Sequence, residues 1–177
     1  MIKNIFITGK PGCGKTTLIM EILKELNLKA GGFYTQEIRE KGIRKGFKII
    51  SLDGKEGILA HVSIKSPFRV SKYGVNIKDL EEIGVKSILE GIKENKIIII
   101  DEIGKMELFS ERFRKAVWDA LESKNKVLGT IKMTRDSFTD KIRKRKDTKI
   151  FYLKRENRKR IKNEIKILLE NGKNNKR

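Results

Sequence analysis

Apolar positions recur with two different periods along this chain, and the change from one to the other divides it into elements. Asn4-Ile5-Phe6-Ile7-Thr8 is a short apolar run that predicts a buried strand. In the patterned stretch Thr17 to Leu26, Ile19, Ile22, Leu23 and Leu26 fall at i, i+3, i+4 and i+7, the stripe of an amphipathic helix. From Ala30 to about Val75 the pattern shortens. Gly31 to Ile38 reads as a strand, Glu40 to Ile43 as a turn and Gly46 to Ser51 as a returning strand. Asp53-Gly54 signals a second turn before a short strand from Gly57 to Val62. Consecutive short strands joined by tight turns pair antiparallel, so a β-rich insertion is expected at about 38–75.

Helical spacing returns near Lys78, with Val85, Ile88, Leu89 and Ile92 on one face, although Gly84 and Gly91 weaken it. Lys96 to Glu102 contains four consecutive isoleucines. Such a run has no solvent face, as in a parallel strand covered on both sides. Ser110 can cap a helix that buries Phe113, Val117, Ala120 and Leu121. Strands are expected at Lys126 to Ile131 and Lys149 to Leu153, with a basic helix near Ser137 to Lys144 between them. A last amphipathic helix carries Ile161, Ile165 and Leu168, and a polar, frayed tail is expected at 172–177. Strands alternating with helices predict an α/β fold, a three-layer parallel sheet with a small antiparallel β insertion.

Composition narrows the class. The chain has 177 residues, 38% hydrophobic and 37% charged, enough for one domain, 1–177, with a real core. No apolar run is long enough for a spanning helix, and Met1 to Asn4 leave no room for a signal peptide ahead of the first strand. One cysteine, Cys13, cannot form an internal disulfide, which fits a cytoplasmic protein. Lys, Ile and Glu richness suits a thermophile. The formal net charge is +19, and fifteen Lys/Arg against four Asp/Glu fall between Arg143 and Arg177. That segment reads either as a nucleic-acid or membrane-surface patch or as a solvated helix face. No aromatic residues are interleaved as stacking platforms, which favours the second reading.

The first strand runs into Gly9, Lys10, Pro11, Gly12, Cys13, Gly14, Lys15 and Thr16, a Walker A spacing that opens the first helix. Glycines let successive backbone N–H groups turn inward, and the helix start adds partial positive charge. Lys15 is placed for the β- and γ-phosphates of a nucleotide, and the Thr16 hydroxyl for Mg²⁺. Asp101, at the end of the isoleucine strand, supplies a second hard oxygen for that ion. Glu102 beside it can orient and deprotonate a water, which tilts the reaction toward hydrolysis rather than transfer.

Asp101-Glu102-Ile103-Gly104-Lys105-Met106-Glu107-Leu108 resembles the signature of the small nucleoside-triphosphatase family of thermophilic archaea and bacteria, whose animal member is the cancer-related nucleoside triphosphatase. Gly32 to Arg39, Gly46 to Ile49 and Tyr73-Gly74-Val75 resemble its other motifs in order. The resemblance runs from about Ile5 to Arg158. It implies a RecA-like P-loop fold and Mg²⁺-dependent hydrolysis of ATP, GTP and other nucleoside triphosphates, loose in base. It also implies nucleotide contacts at Gly9 through Thr16 and at Ile98, Ile99, Ile100, Asp101, Glu102, Ile103, Gly104 and Lys105. Glu156-Asn157-Arg158 match the family's closing motif, whereas Lys154 stands where threonine is usual.

Other candidates are weaker. Arg135, Arg143 and Arg145 are candidate arginine fingers in a lid. Glu37 and Arg39 either face the site or pair on a hairpin surface. Cys13 reads as a small filler inside the cradle, and His61 as structural. No Asn-Lys-x-Asp tetrapeptide marks guanine selectivity. Two alternatives stay open: a nucleotide or small-molecule kinase, and a nucleotide-regulated nucleic-acid-binding protein. A monomer is expected.

Overall fold

A computed structural model of the protein describes residues 1–171; the tail expected at 172–177 lies outside them. Nine strands form a single sheet: β1 (Asn4–Thr8), β2 (Ala30–Glu40), β3 (Ile43–Ser51), β4 (Glu56–His61), β5 (Arg69–Val70), β6 (Tyr73–Val75), β7 (Ile97–Ile103), β8 (Val127–Ile131) and β9 (Thr148–Tyr152). Their order across it is β5-β6-β4-β3-β2-β7-β8-β1-β9. From β2 to β9 every pairing is parallel, while β2 to β6 are joined antiparallel. The β-rich insertion is therefore a continuation of the parallel sheet. β2 belongs to both halves: Ala30 to Phe33 pair with β7, and Phe33 to Glu40 pair with β3.

Helices cover both faces. On one side α1 (Lys15–Leu26) and α6 (Arg158–Glu170) bury Leu18, Ile19, Ile22, Ile161, Ile165 and Leu169 against alternate strand residues such as Ile5, Ile7 and Ile99. On the other, α3 (Lys86–Lys93), α4 (Glu111–Glu122) and the short α5 (Ser137–Arg143) pack against Phe6, Phe33, Ile98 and Ile100. The isoleucine run thus sends successive side chains into two different cores, as its lack of a polar face required.

Two stripes differ from expectation. The face near Lys78 is not one helix. A turn of helix, α2 (Ile77–Asp79), leads into a π-helical segment from Leu80 to Val85 and then α3. The wider π turn rotates the following residues, so Ile88 is buried but Leu89 is 40% exposed. In α6 the third buried position is Leu169, and Leu168 lies half-buried beside it.

Candidate active site

The strand ends on one side of the parallel half meet in a cleft of about 730 Å³. β1 leads into the loop 9–14, and the backbone there is the reason for its glycines. Gly12 and Gly14 have φ of 75° and 91°, and Gly14 occupies the N-cap of α1. A side chain at Gly9 would meet the Leu153 carbonyl at 2.9 Å. Lys15 extends back across the loop, its Nζ donating to the carbonyls of Gly9 at 3.0 Å and Lys10 at 3.1 Å.

β7 delivers the opposing acids. Asp101 is 4% exposed, and it accepts from Thr16 Oγ1 at 2.5 Å and from Thr130 Oγ1 at 2.6 Å. The first bond ties the loop helix to the end of β7. The second comes from β8, which lies between β1 and β7 in the sheet. Asp101 has no salt-bridge partner among the described residues, and burial pushes its carboxyl above the usual range, offset in part by the two hydroxyls and Lys15. Burial also raises Glu102, and the neighbouring Asp101 adds to the effect. Glu107 is 3% exposed, with its Oε2 accepting from the Gly104 N–H at 3.1 Å. Burial and the nearby Glu102 push it well above the ordinary carboxylate range.

The Thr16 hydroxyl at the start of α1 and the Asp101 carboxylate of β7 are hard oxygen donors of the kind magnesium takes, and no ion pair among the described residues neutralises that buried carboxylate. Thr16 and Asp101 therefore fit Mg²⁺. Among the described residues no group of three or more His, Cys, Asp or Glu side chains is placed to hold a metal.

The candidate residues do not all reach the cleft. Gly9, Pro11, Gly12, Lys15, Thr16, Asp101, Glu102 and Lys105 line it. Lys10 supports Lys15 through its carbonyl, and Cys13 packs partly against the core beside α1. The carbonyl of Gly14 accepts from Arg158 at 3.2 Å, with Arg158 also paired to Glu21 at 3.0 Å. Ile98, Ile99, Ile100 and Ile103 are fully buried in the two cores and do not line the cleft, while the strand they form carries Asp101 and Glu102 to it. Gly104 presents its N–H to Glu107.

None of the three arginine-finger candidates lines the cleft. Arg135 pairs with Asp140 at 2.7 Å, and Arg143 donates to the Lys132 carbonyl at 2.6 Å. Arg145 is held between Glu122, Asp147 and the Trp118 ring. The arginines that do line it are Arg39 and Arg44 of the antiparallel half. Glu37 and Arg39, weighed as either site residues or a surface pair, are both: they bond to each other at 2.8 Å on the cleft wall. His61 holds a turn through Ser63 Oγ at 2.7 Å. At the closing motif, Asn157 ties the segment after β9 together. Its Oδ1 accepts from the Lys154 N–H at 2.8 Å and its Nδ2 donates to the Tyr152 carbonyl at 2.9 Å.

Sequence reading missed Thr130, Thr35, Glu107 and Lys132. Glu107 and Thr35 lie inside the family motifs quoted above with no role attached, and Thr130 stands out only as a lone hydroxyl in an otherwise apolar buried strand.

A model of the NTPase family matches residues 4–166 of the chain. The nucleoside-triphosphatase THEP1 of Thermotoga sp. (strain RQ2) is 54% identical over 167 residues, covering 94% of this chain and 95% of the relative. The human cancer-related nucleoside-triphosphatase is 37% identical over 174 residues, covering 89% and 92%. The crystal structure of THEP1 from the hyperthermophile Aquifex aeolicus matches the fold with a TM-score of 0.85 at 38% identity, over 94% of this chain and 99% of that one.

Proposed function

The chain belongs to the NTPase family and is a nucleoside-triphosphatase, and from that premise we propose that it hydrolyses ATP, GTP and other nucleoside triphosphates to the diphosphate and phosphate in a magnesium-dependent reaction. The observation that carries this reading is the 2.5 Å bond between Thr16 and Asp101, which sets the loop beside the acids of β7. Backbone N–H groups of the loop and the start of α1 would hold the polyphosphate, and Lys15 would neutralise charge on the β- and γ-oxygens. Thr16 and Asp101 would hold magnesium, which when bound draws charge from those same oxygens. Glu102 would orient a water and accept its proton as the oxygen attacks the γ-phosphorus. The bond to the bridging oxygen breaks, and its electron pair leaves with the diphosphate. Base preference is loose, since no guanine-reading tetrapeptide is present. The continuous sheet supports reading the chain as one domain.

Phosphate release from several nucleoside triphosphates by wild type, Lys15→Ala and Glu102→Gln tests this. Lys15→Ala should weaken both binding and turnover. Glu102→Gln should bind as before while turnover falls by roughly 10²–10⁴-fold, the usual worth of a positioned base. Normal turnover by Glu102→Gln would remove the carboxylate from the water-activating role.

A further inference from the structure

The cleft does not end where the proposed reaction needs it to. The β2–β7 pairing ends at Phe33 and Ile100, and β2 runs on unpaired with β7 to Glu40. Alternate residues of that overhang, Thr35, Glu37 and Arg39, all line the cleft, as the two-residue period of a strand demands. From Thr35 to Arg39 the ladder extends roughly 13 Å at a strand's rise per residue. Lys15, Thr16 and Asp101 set the β- and γ-phosphates at the near end of this ladder. The loop that grips the remaining phosphate belongs to β1, two strands further from β2, so the nucleoside leaves in the opposite direction. The overhang therefore lies beyond the γ-phosphate.

Its walls are built in layers. Phe47 sits opposite Glu37 in the β2–β3 register and meets buried Tyr73 edge-on at 5.4 Å, with the Arg44 guanidinium 5.2 Å from the Phe47 ring and 5.7 Å from the Tyr73 ring. Two residues further along β2, past an irregularity in the register after Ile38, Arg39 faces Arg44. Arg44 donates to the Tyr73 hydroxyl at 3.0 Å and to Glu37 at 3.2 Å, while Arg39 donates to Glu37 at 2.8 Å and to the Gly42 carbonyl at 2.9 Å. Each guanidinium keeps its Nη2 without a protein partner among the described residues. Two arginines against one glutamate, with Lys72 5.6 Å from the Tyr73 ring, leave this rim positive. From the inside outward the order is base, hydroxyl, rings, cations.

We infer that this outer part of the cleft is a second binding site, for a ring compound with a hydroxyl at one end and a carboxylate or phosphate at the other, and that the hydroxyl receives the γ-phosphoryl group in place of water. The inference rests on the reading that the triphosphate lies with its γ-phosphate at Glu102. The ring lies against half-buried Phe47, and its anion meets the free ends of Arg39 and Arg44. The hydroxyl proton passes to Glu102 as the new O–P bond forms. The bond from the γ-phosphorus to the bridging oxygen breaks, with its electron pair leaving on the diphosphate. Hydrolysis is then what the site does when the outer part holds only water.

The test uses the full chain, magnesium and ATP labelled in its γ-phosphate, with 4-(hydroxymethyl)benzoate as probe. Benzyl alcohol lacks the anion and 4-methylbenzoate lacks the hydroxyl. Labelled phosphoester should form from the probe roughly tenfold faster than from benzyl alcohol, the worth of one charge-assisted contact. 4-Methylbenzoate should compete, and Arg39→Ala should erase the preference. Competition is read on the wild type, so the test survives a variant that fails to fold. Label found only in inorganic phosphate, equal esterification of the two alcohols, or no competition would each overturn the second site. Absence of phosphate release from ATP alone would instead count against the triphosphatase reading.

Discussion

Glu107 shows what a single buried carboxylate does here. A side chain at Gly104 would lie 2.4 Å from Glu102 Oε1 and 2.8 Å from Glu107 Oε2, so two acids share one small space next to Asp101. All three are raised. A carboxyl that binds its proton more tightly folded than unfolded leaves the native state holding the extra proton above the ordinary range. Stability therefore falls as pH rises through that interval, by at most about 1.4 kcal/mol per pH unit for each group. Without nucleotide, Glu107→Gln should flatten the fall in Tm as pH rises above the ordinary carboxylate range, relative to wild type, because it removes one of the raised carboxyls. Identical slopes would mean that Glu107 is already ionised throughout. Lys15, Thr16, Asp101 and Glu102 were legible because each sits at a fixed step from a strand end. Thr130 was not, since its 2.6 Å bond to Asp101 depends on β8 lying between β1 and β7, an order that local spacing does not encode.

At the level of elements, the two glycines that weakened the helical pattern include the one that seats the helix. A side chain at Gly31 of β2 would lie 2.8 Å from the Gly91 Cα of α3, and one at Gly91 would lie 2.7 Å from Ile98 Cδ1. Backbone meets backbone there, so helix and strand approach more closely than any side chain would permit. Helix propensity made Gly91 a defect; tertiary packing makes it a requirement. The same limit hid the π turn. Periodicity found Ile88 correctly, but a one-residue widening between Leu80 and Val85 moved Leu89 out to solvent, and no spacing rule marks such a turn. Strands fared better, because four consecutive isoleucines allow only a position covered on both faces. Gly31→Ala should cost about 1–3 kcal/mol through overpacking, a fall in Tm on the order of 3–10 °C by thermal unfolding.

Across the whole molecule, the question is what a net charge of +19 is for. Much of the basic carboxyl-terminal segment is already engaged. Arg158 pairs with Glu21 at 3.0 Å, Lys162 with Glu21 at 3.4 Å and also with Glu25, and Lys166 with Glu25 at 2.9 Å. Arg160 and Lys149 share Glu164. Such surface pairs add little stability, but they lock α6 against α1 with its cations facing acids of the same chain. A nucleic-acid interface needs cations free to neutralise phosphates and rings for bases to stack on. In this segment Tyr152 is the exposed large aromatic, and Lys154 lies 5.5 Å from its ring. Residual positive charge should still attract single-stranded RNA weakly, with affinity falling steeply between roughly 50 and 200 mM salt. That attraction should not reach the chemistry: phosphate release from ATP should be unchanged by saturating RNA at the lower salt, where binding is measured by filter retention. A stimulated rate that vanishes with salt alongside binding would mean that the unpaired cations form a working interface. The nucleotide-regulated nucleic-acid reading would then displace the solvated-face reading of the segment.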